Sequence, residues 1–129
     1  MSAPDQDFFK TNFSLLKKYH PDLWQRFREN PPQPTGEIVF SPQGAPNLRV
    51  RKIDGEAFVL HPERDPATEI PQFLALVPQN ATGFVAFLGM GLGYAPLAFM
   101  EERPNINRLV IFELDEGVFW QALRAIDLA

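Results

Sequence analysis

A glycine-rich segment between an apolar run and a predicted helix is the part of this sequence best suited to chemistry. The run Phe84–Leu88 leads directly into glycines at alternate positions, and a second apolar run ends at Glu113. Backbone N–H groups of such a loop can face a ligand, and the N-terminus of the following helix adds partial positive charge. An acid at the end of the second strand can bond a ribose hydroxyl. The order therefore predicts a cofactor-binding site at Gly89, Gly91, Gly93, Tyr94 and Glu113.

The spacing of these glycines indicates which ligand class fits. Gly-x-Gly-x-Gly favours a loop for S-adenosylmethionine or another nucleoside-type ligand, such as a sugar nucleotide, over the Gly-x-Gly-x-x-Gly of NAD sites. Common methyltransferases carry an acid two residues before the first glycine, and Phe87 stands there. The alternative is that the glycines only permit tight packing of strand against helix and bind nothing. In that case Glu113 is an ordinary solvated or capping residue.

Other polar residues give weaker predictions, and we assign no catalytic residue. His20 and His61 each precede a proline, and we expect a turn or surface role for both. Asp65 is predicted to cap a helix on which Glu69 lies on the solvated face. A basic cluster in the hairpin is either a solvated strand face or a contact for an anionic sugar nucleotide; its members are Arg49, Arg51 and Lys52.

The first part of the chain, residues 1–78, is predicted to combine helices with a small antiparallel meander. Helical spacing of apolar residues indicates helices over 5–19 and 22–30, separated at His20-Pro21. Short strands are predicted over 37–40, 48–53 and 57–60, with Asp54-Gly55 as the turn of a hairpin. Asp65-Pro66 begins a further helix, which Pro78 ends.

The second part, residues 79–129, is predicted to be a Rossmann-like βαβ unit and the start of a larger domain. The continuous apolar run over 84–88 is typical of a buried parallel strand, and a second strand follows over 108–112. A helix over 94–102 connects them, and Asp115 caps a last helix. The predicted fold class is therefore α/β with an α+β N-terminal part.

Composition excludes several function classes. The chain has 129 residues, with 12 Lys and Arg against 16 Asp and Glu, and this weak acidity argues against nucleic-acid binding. It contains no cysteine, which excludes thiol chemistry and zinc–thiolate sites. There is no run of about 18 apolar residues that could span a membrane. The first seven residues lack the pattern of a signal peptide, so we expect a cytoplasmic protein. We also expect no metal site.

Four short segments resemble motifs of one bacterial family. They are Asn-Phe-x-x-Leu-Lys-Lys-Tyr-His-Pro-Asp-Leu over 12–23, Asp-Pro-Ala-Thr-Glu over 65–69, Leu-Gly-Met-Gly-Leu-Gly-Tyr over 88–94 and Ile-Phe-Glu-Leu-Asp over 111–115. In this order, with a hairpin between the first two, they resemble the N-terminal domain of the motility accessory factor proteins. These are glycosyltransferases implicated in glycosylation of flagellin with nonulosonic acids. The resemblance covers nearly the whole chain, and Gly-Leu-Gly-Tyr is its most specific part.

The resemblance implies an accessory domain. In that family the transfer domain follows this one and resembles 6-hydroxymethylpterin diphosphokinase. The chain is then not catalytic by itself, its partner is a protein such as flagellin, and the catalytic residues lie outside it. Two alternatives stay open: a truncated S-adenosylmethionine-dependent methyltransferase-like domain, and a pure interaction module.

Two parallel strands are few for a stable sheet, which predicts self-association. The last predicted helix carries more apolar residues than two strands can cover. We therefore expect a homodimer or a strand exchange through the face from Val118 to Ile126.

Overall fold

Two short helices open the part of the chain that the computed structural model describes, residues 8–129. Helix α1 spans Phe9–Tyr19 and helix α2 spans Pro21–Glu29. The break at His20 is where the sequence predicts it, because the residue before a proline avoids the helical region. Residues 5–7 of the first predicted helix lie outside the described residues. Pro21 rather than Asp22 is the first residue of α2, a position where a missing N–H costs nothing.

A three-stranded antiparallel meander follows, in the order β1-β2-β3. The strands are β1 (Glu37–Phe40), β2 (Pro46–Arg51) and β3 (Ala57–Val59). Leu48 lies opposite Ile38, and Val50 lies opposite Phe58. The predicted Asp54-Gly55 turn joins β2 to β3, and Gly55 has a φ of 89° that suits glycine.

The helical segment after the meander is shorter than predicted. A 3-10 helix over Pro66–Glu69 leads into helix α3 over Ile70–Leu74. Asp65 caps it as predicted, because its carboxylate accepts the N–H of Ala67 at 3.1 Å. The predicted extension to Val77 is wrong, since the chain turns after Leu74.

Two parallel strands with a connecting helix form the last part of the fold. The elements are β4 (Gly83–Leu88), α4 (Tyr94–Glu102), β5 (Ile106–Phe112) and α5 (Glu116–Ala125). Val85 lies opposite Leu109 in the parallel register. Asp115 caps α5 by accepting the N–H groups of Gly117 and Val118. The chain is therefore mixed α/β, with one antiparallel and one parallel sheet.

The core joins residues from both sides of the predicted division at residue 78. One buried cluster unites Leu48 of β2 with residues of the glycine loop and α5, namely Met90, Leu92, Val118, Ala122 and Ala125. A second cluster joins Leu16 and Phe27 of the first helices to Leu123. The prediction that α5 keeps a free apolar face for a second copy is wrong, because Val118, Ala122 and Leu123 are buried within the chain.

The parallel strands, in contrast, are not buried on both faces. Helix α4 covers one face, where the ring of Phe87 meets that of Phe99 edge-on at 5.4 Å between centroids. Phe84 and Leu88 point to the other face and are exposed. The prediction of a fully buried strand over 84–88 is therefore wrong: within residues 8–129 no element covers that second face.

Among the helices of residues 8–129, none is both long and apolar enough to cross a membrane.

Candidate functional site

The glycine loop connects the end of β4 to the start of α4, and its glycines are needed for its backbone shape. Gly89, Gly91 and Gly93 have φ values of 83°, 56° and 100°. Side chains other than glycine adopt such angles only with strain. The N–H of Gly93 donates to the carbonyl of Met90 at 3.0 Å, which closes the turn just before α4.

Glu113 lies beside the loop, as the sequence predicts, but its carboxylate holds backbone of its own chain. One oxygen accepts the N–H of Met90 at 3.0 Å, and the other accepts the N–H of Asp115 at 3.1 Å. Glu113 thus connects the end of β5 to the loop and to the start of α5. A ribose hydroxyl at this carboxylate would have to share it with two amides.

His61 accepts a hydrogen bond from a second backbone amide of the loop. Its Nε2 accepts the N–H of Leu92 at 3.0 Å, and its Nδ1 bonds to the carboxylate of Glu69. Because Nε2 is an acceptor, Nδ1 carries the proton and donates it to Glu69. His61 is buried, with only 6% of the residue's surface exposed. We name His61, Glu69, Gly91 and Leu92 the histidine clasp, since they join the segment after β3 to the glycine loop.

Gly91 is the position at which the clasp leaves no space. A Cβ added there would lie 2.7 Å from two atoms of the His61 ring, Cε1 and Nε2. Real Cβ atoms essentially never approach a neighbour so closely. The absent side chain of Gly91 therefore serves the contact with His61, which occupies the space beside the loop.

Tyr94 supports the clasp from the first turn of α4. Its ring meets that of His61 edge-on, with centroids 5.0 Å apart, and its hydroxyl donates to the carbonyl of Pro46 at 2.6 Å. Burial, together with the negative charges of Asp65 and Glu69, raises the pKa of Tyr94 to about 12. Tyr94 is therefore a neutral hydrogen-bond donor near neutral pH.

An open cavity of about 560 Å³ lies beside the clasp. Residues 85–89 of β4 and the loop form one wall, while Phe73, Leu76 and Val77 form part of the other. Among residues 8–129, the titratable side chains that line it are His61 and Glu69. Both ring nitrogens of His61 are engaged, and one oxygen of Glu69 pairs with that ring, so most of the lining is apolar and its one acid–base pair is internally bonded.

The remaining candidates from the sequence lie at the surface. His20 is exposed, as expected. The basic cluster of the hairpin is solvated and partly paired, since Arg49 lies 2.7 Å from Glu37 and Lys52 lies 3.4 Å from Glu56. Among residues 8–129 no group of three or more side chains is arranged to hold a metal ion.

Two expectations are wrong at this site. His61 does not have a surface role, and Glu69 does not lie on a solvated helix face, because the two side chains pair with each other and are largely buried. The predicted cofactor contacts of Gly89, Gly91, Gly93, Tyr94 and Glu113 stay a prediction. The structure brings these five residues together, with Met90 and Leu92 amides between them already bonded to Glu113 and His61.

Comparison with protein-family models, with curated proteins and with solved structures finds no match to this chain. The geometry of the site and the resemblance of its segments are therefore the grounds for a functional proposal.

Proposed function

We propose that this chain is an accessory domain of a flagellin-modifying glycosyltransferase-like protein and catalyses no transfer by itself. The observation that carries the proposal is the histidine clasp. His61 donates to Glu69 and accepts the N–H of Leu92, and these two bonds hold the glycine loop against the segment after β3. The loop therefore has a structural role.

The clasp also supports the resemblance to the motility accessory factor family. The Asp-Pro-x-x-Glu segment supplies Glu69, the Gly-Leu-Gly-Tyr segment supplies Leu92, and the strand end supplies Glu113. These motifs lie apart in the sequence, yet Glu113 bonds the loop directly and Glu69 is connected to it through His61. Segments that fold onto one another in this way form one unit, which is what a shared domain requires. On this proposal β4, α4 and β5 are one unit of a Rossmann-like sheet.

The chemistry of the cavity supports the absence of transfer, because its two titratable side chains, His61 and Glu69, are bonded to each other. Glycosyl transfer needs a group that can accept or donate a proton at the reacting oxygen. His61 is the natural candidate in the cavity, but its protonated nitrogen faces Glu69 and its other nitrogen faces the amide of Leu92. We therefore place the transfer chemistry outside this chain. We propose that this chain helps to recognise flagellin.

The test separates binding from catalysis. Purified chain is mixed with unmodified flagellin and a CMP-activated nonulosonic acid, and the intact mass of flagellin is followed together with binding to immobilised flagellin. We expect saturable binding and no change of mass. Transfer by the chain alone, or no binding to flagellin, would contradict the proposal.

A nucleotide-type ligand at the loop is the alternative, as in a truncated methyltransferase-like domain. The cavity beside Gly89 and Gly91 has the size of a small-molecule site. A ligand that used the amides of Met90 and Leu92 would have to displace Glu113 and His61. Binding of such a ligand therefore carries a cost that an open glycine loop does not have.

A further inference from the structure

The uncovered face of the parallel sheet is an apolar surface that has no function in the proposal above. Side chains alternate along a strand, so Phe84, Ala86 and Leu88 share one face of β4. The parallel register places Val110 and Phe112 of β5 beside Ala86 and Leu88, and it places Arg108 beside Phe84 at the amino end of the same face. Leu114 lies two residues beyond Phe112 and is also exposed. We name the six apolar residues the open face, with Arg108 at its edge.

The open face is too apolar to be an ordinary solvated surface. Phe84 is 65% exposed, Leu88 90%, Phe112 54% and Leu114 97%. Parallel strands occur almost only with both faces covered, and α4 covers just the opposite face. A contiguous apolar patch of this kind marks an interaction surface.

We propose that the open face binds the open face of a second copy of this chain, with the strands of the two copies antiparallel. Two stacked sheets about 10 Å apart would then be covered on their outer sides by the two α4 helices. This proposal replaces the dimer face predicted on α5. It is also an alternative to the larger Rossmann-like sheet proposed above, in which further elements of the same domain would cover this face.

The area of the open face fits a dimer. A Phe side chain buries roughly 200 Å², and a Leu side chain somewhat less. The exposed fractions of Phe84, Leu88, Phe112 and Leu114 therefore correspond to at most about 600 Å² per copy. A pair would bury at most about 1,200 Å², which is at the lower end of specific interfaces. We accordingly expect a dimer that dissociates on dilution.

The charges at the two ends of β5 select the antiparallel arrangement. Arg108 lies opposite Phe84 at the amino end, and within residues 8–129 it has no ion pair. Carboxylates collect at the other end, on Glu113, Asp115 and Glu116; Glu116 pairs with Arg26, and the other two accept hydrogen bonds from neutral groups, so this end keeps a net negative charge. A two-fold axis between antiparallel strands brings each Arg108 towards the carboxylates of the other copy. A parallel arrangement would place like charges together.

The test is the molar mass of the full chain by light scattering across a concentration series. We expect 14.7 kDa at high dilution and twice that mass in the upper micromolar range. Leu88→Lys should weaken association at least ten-fold, because it buries an ammonium group from each copy. Ile53→Lys adds the same charge at a fully exposed position of the β2–β3 turn and should leave association unchanged.

A second variant keeps the proposal testable if Leu88→Lys does not fold. Arg108→Glu changes an exposed position and should also weaken association, since it places a carboxylate against the acidic end of the other copy. A mass of 14.7 kDa at every concentration would overturn the proposal and leave the open face to a different chain. A dimer that Arg108→Glu or folded Leu88→Lys leaves unchanged would overturn it as well.

Discussion

Substitution of Gly91 by alanine tests the histidine clasp directly, because two physical effects predict opposite orders of stability. Gly89 and Gly91 both have positive φ, at 83° and 56°. The value at Gly91 lies in the left-handed region that alanine tolerates better. Backbone strain alone therefore predicts that Gly89→Ala is the more damaging change. The neighbours predict the reverse, because nothing lies within 4 Å of a Cβ at Gly89 whereas the His61 ring lies 2.7 Å from one at Gly91.

The magnitude follows from how firmly His61 is held. Its ring cannot move aside without breaking the bond to Glu69 or the bond to the Leu92 amide. Overpacking of this kind costs about 1–3 kcal/mol, and backbone strain costs about 1–2 kcal/mol at either glycine. The loss of unfolded-state entropy is common to both substitutions and cancels. Because the greater strain at Gly89 offsets part of the overpacking at Gly91, we expect Gly91→Ala to lower the free energy of unfolding by about 0.5–2 kcal/mol more than Gly89→Ala does.

Urea unfolding followed by tryptophan fluorescence measures this difference. Trp120 packs on Phe9 at 4.8 Å between ring centroids and reports on the core. Equal slopes of the unfolding free energy against urea are needed, so that the comparison reports stability alone. If Gly89→Ala is as destabilising as Gly91→Ala, or more so, the contact with His61 does not govern the loop.

Three further changes test other parts of the site. His61→Ala should lower the free energy of unfolding in urea by about 3 kcal/mol, because it leaves Glu69 and a buried amide without their partner. His20→Ala, which is also before a proline but exposed, should lower it by less than about 0.5 kcal/mol, and equal effects would contradict the clasp. The pKa of Tyr94 is raised from 10.0 to about 12, so the tyrosine ionises first in the unfolded state and the free energy of unfolding should fall as the pH rises between these values. Tyr94→Phe should remove the step near pH 12 from the tyrosinate absorbance titration, and a step that remained would contradict the assignment. Asp115→Ala should lower the free energy of unfolding by about 1–2 kcal/mol through loss of the α5 cap, and an unchanged urea midpoint would show that the cap contributes nothing.

Features with causes inside a few residues could be predicted from the sequence. Pro21 separates α1 from α2, Asp65 and Asp115 cap the helices that follow them, and Gly55 turns the hairpin. Each depends on a local conformational preference or on a hydrogen bond to an amide two or three residues away. The strand–loop–helix order around Gly89–Tyr94, with Glu113 beside it, is also visible because the pieces follow one another along the chain.

The role of His61 could not be found in this way. Its partners lie 8 residues away at Glu69 and 31 residues away at Leu92, and only the packing of the first part of the chain on the loop brings them together. A histidine before a proline is locally a turn residue, so the local signal indicated the surface. The one available sign was that Glu69 follows the cap Asp65 by about one helical turn.

The exposure of β4 shows a different limit. The apolar run Phe84–Leu88 correctly predicts a strand with a parallel partner. The run also indicates that the strand is more stable when other elements cover both of its faces, but it does not indicate which elements cover them. In the structure α4 covers one face, and the helix α5 packs on α1 and β1 instead.

On the proposed function, the glycine loop has a structural role in a non-catalytic domain and binds no cofactor. Isothermal titration of the purified chain with S-adenosylmethionine, S-adenosylhomocysteine and CMP-sugars tests it most directly, because these are the ligands that the loop would take. We expect no saturable heat with any of them, since Glu113 and His61 hold the amides of Met90 and Leu92. Saturable binding that Gly91→Val abolishes, while Gly55→Val at an exposed turn with positive φ retains it, would show that the loop takes a ligand.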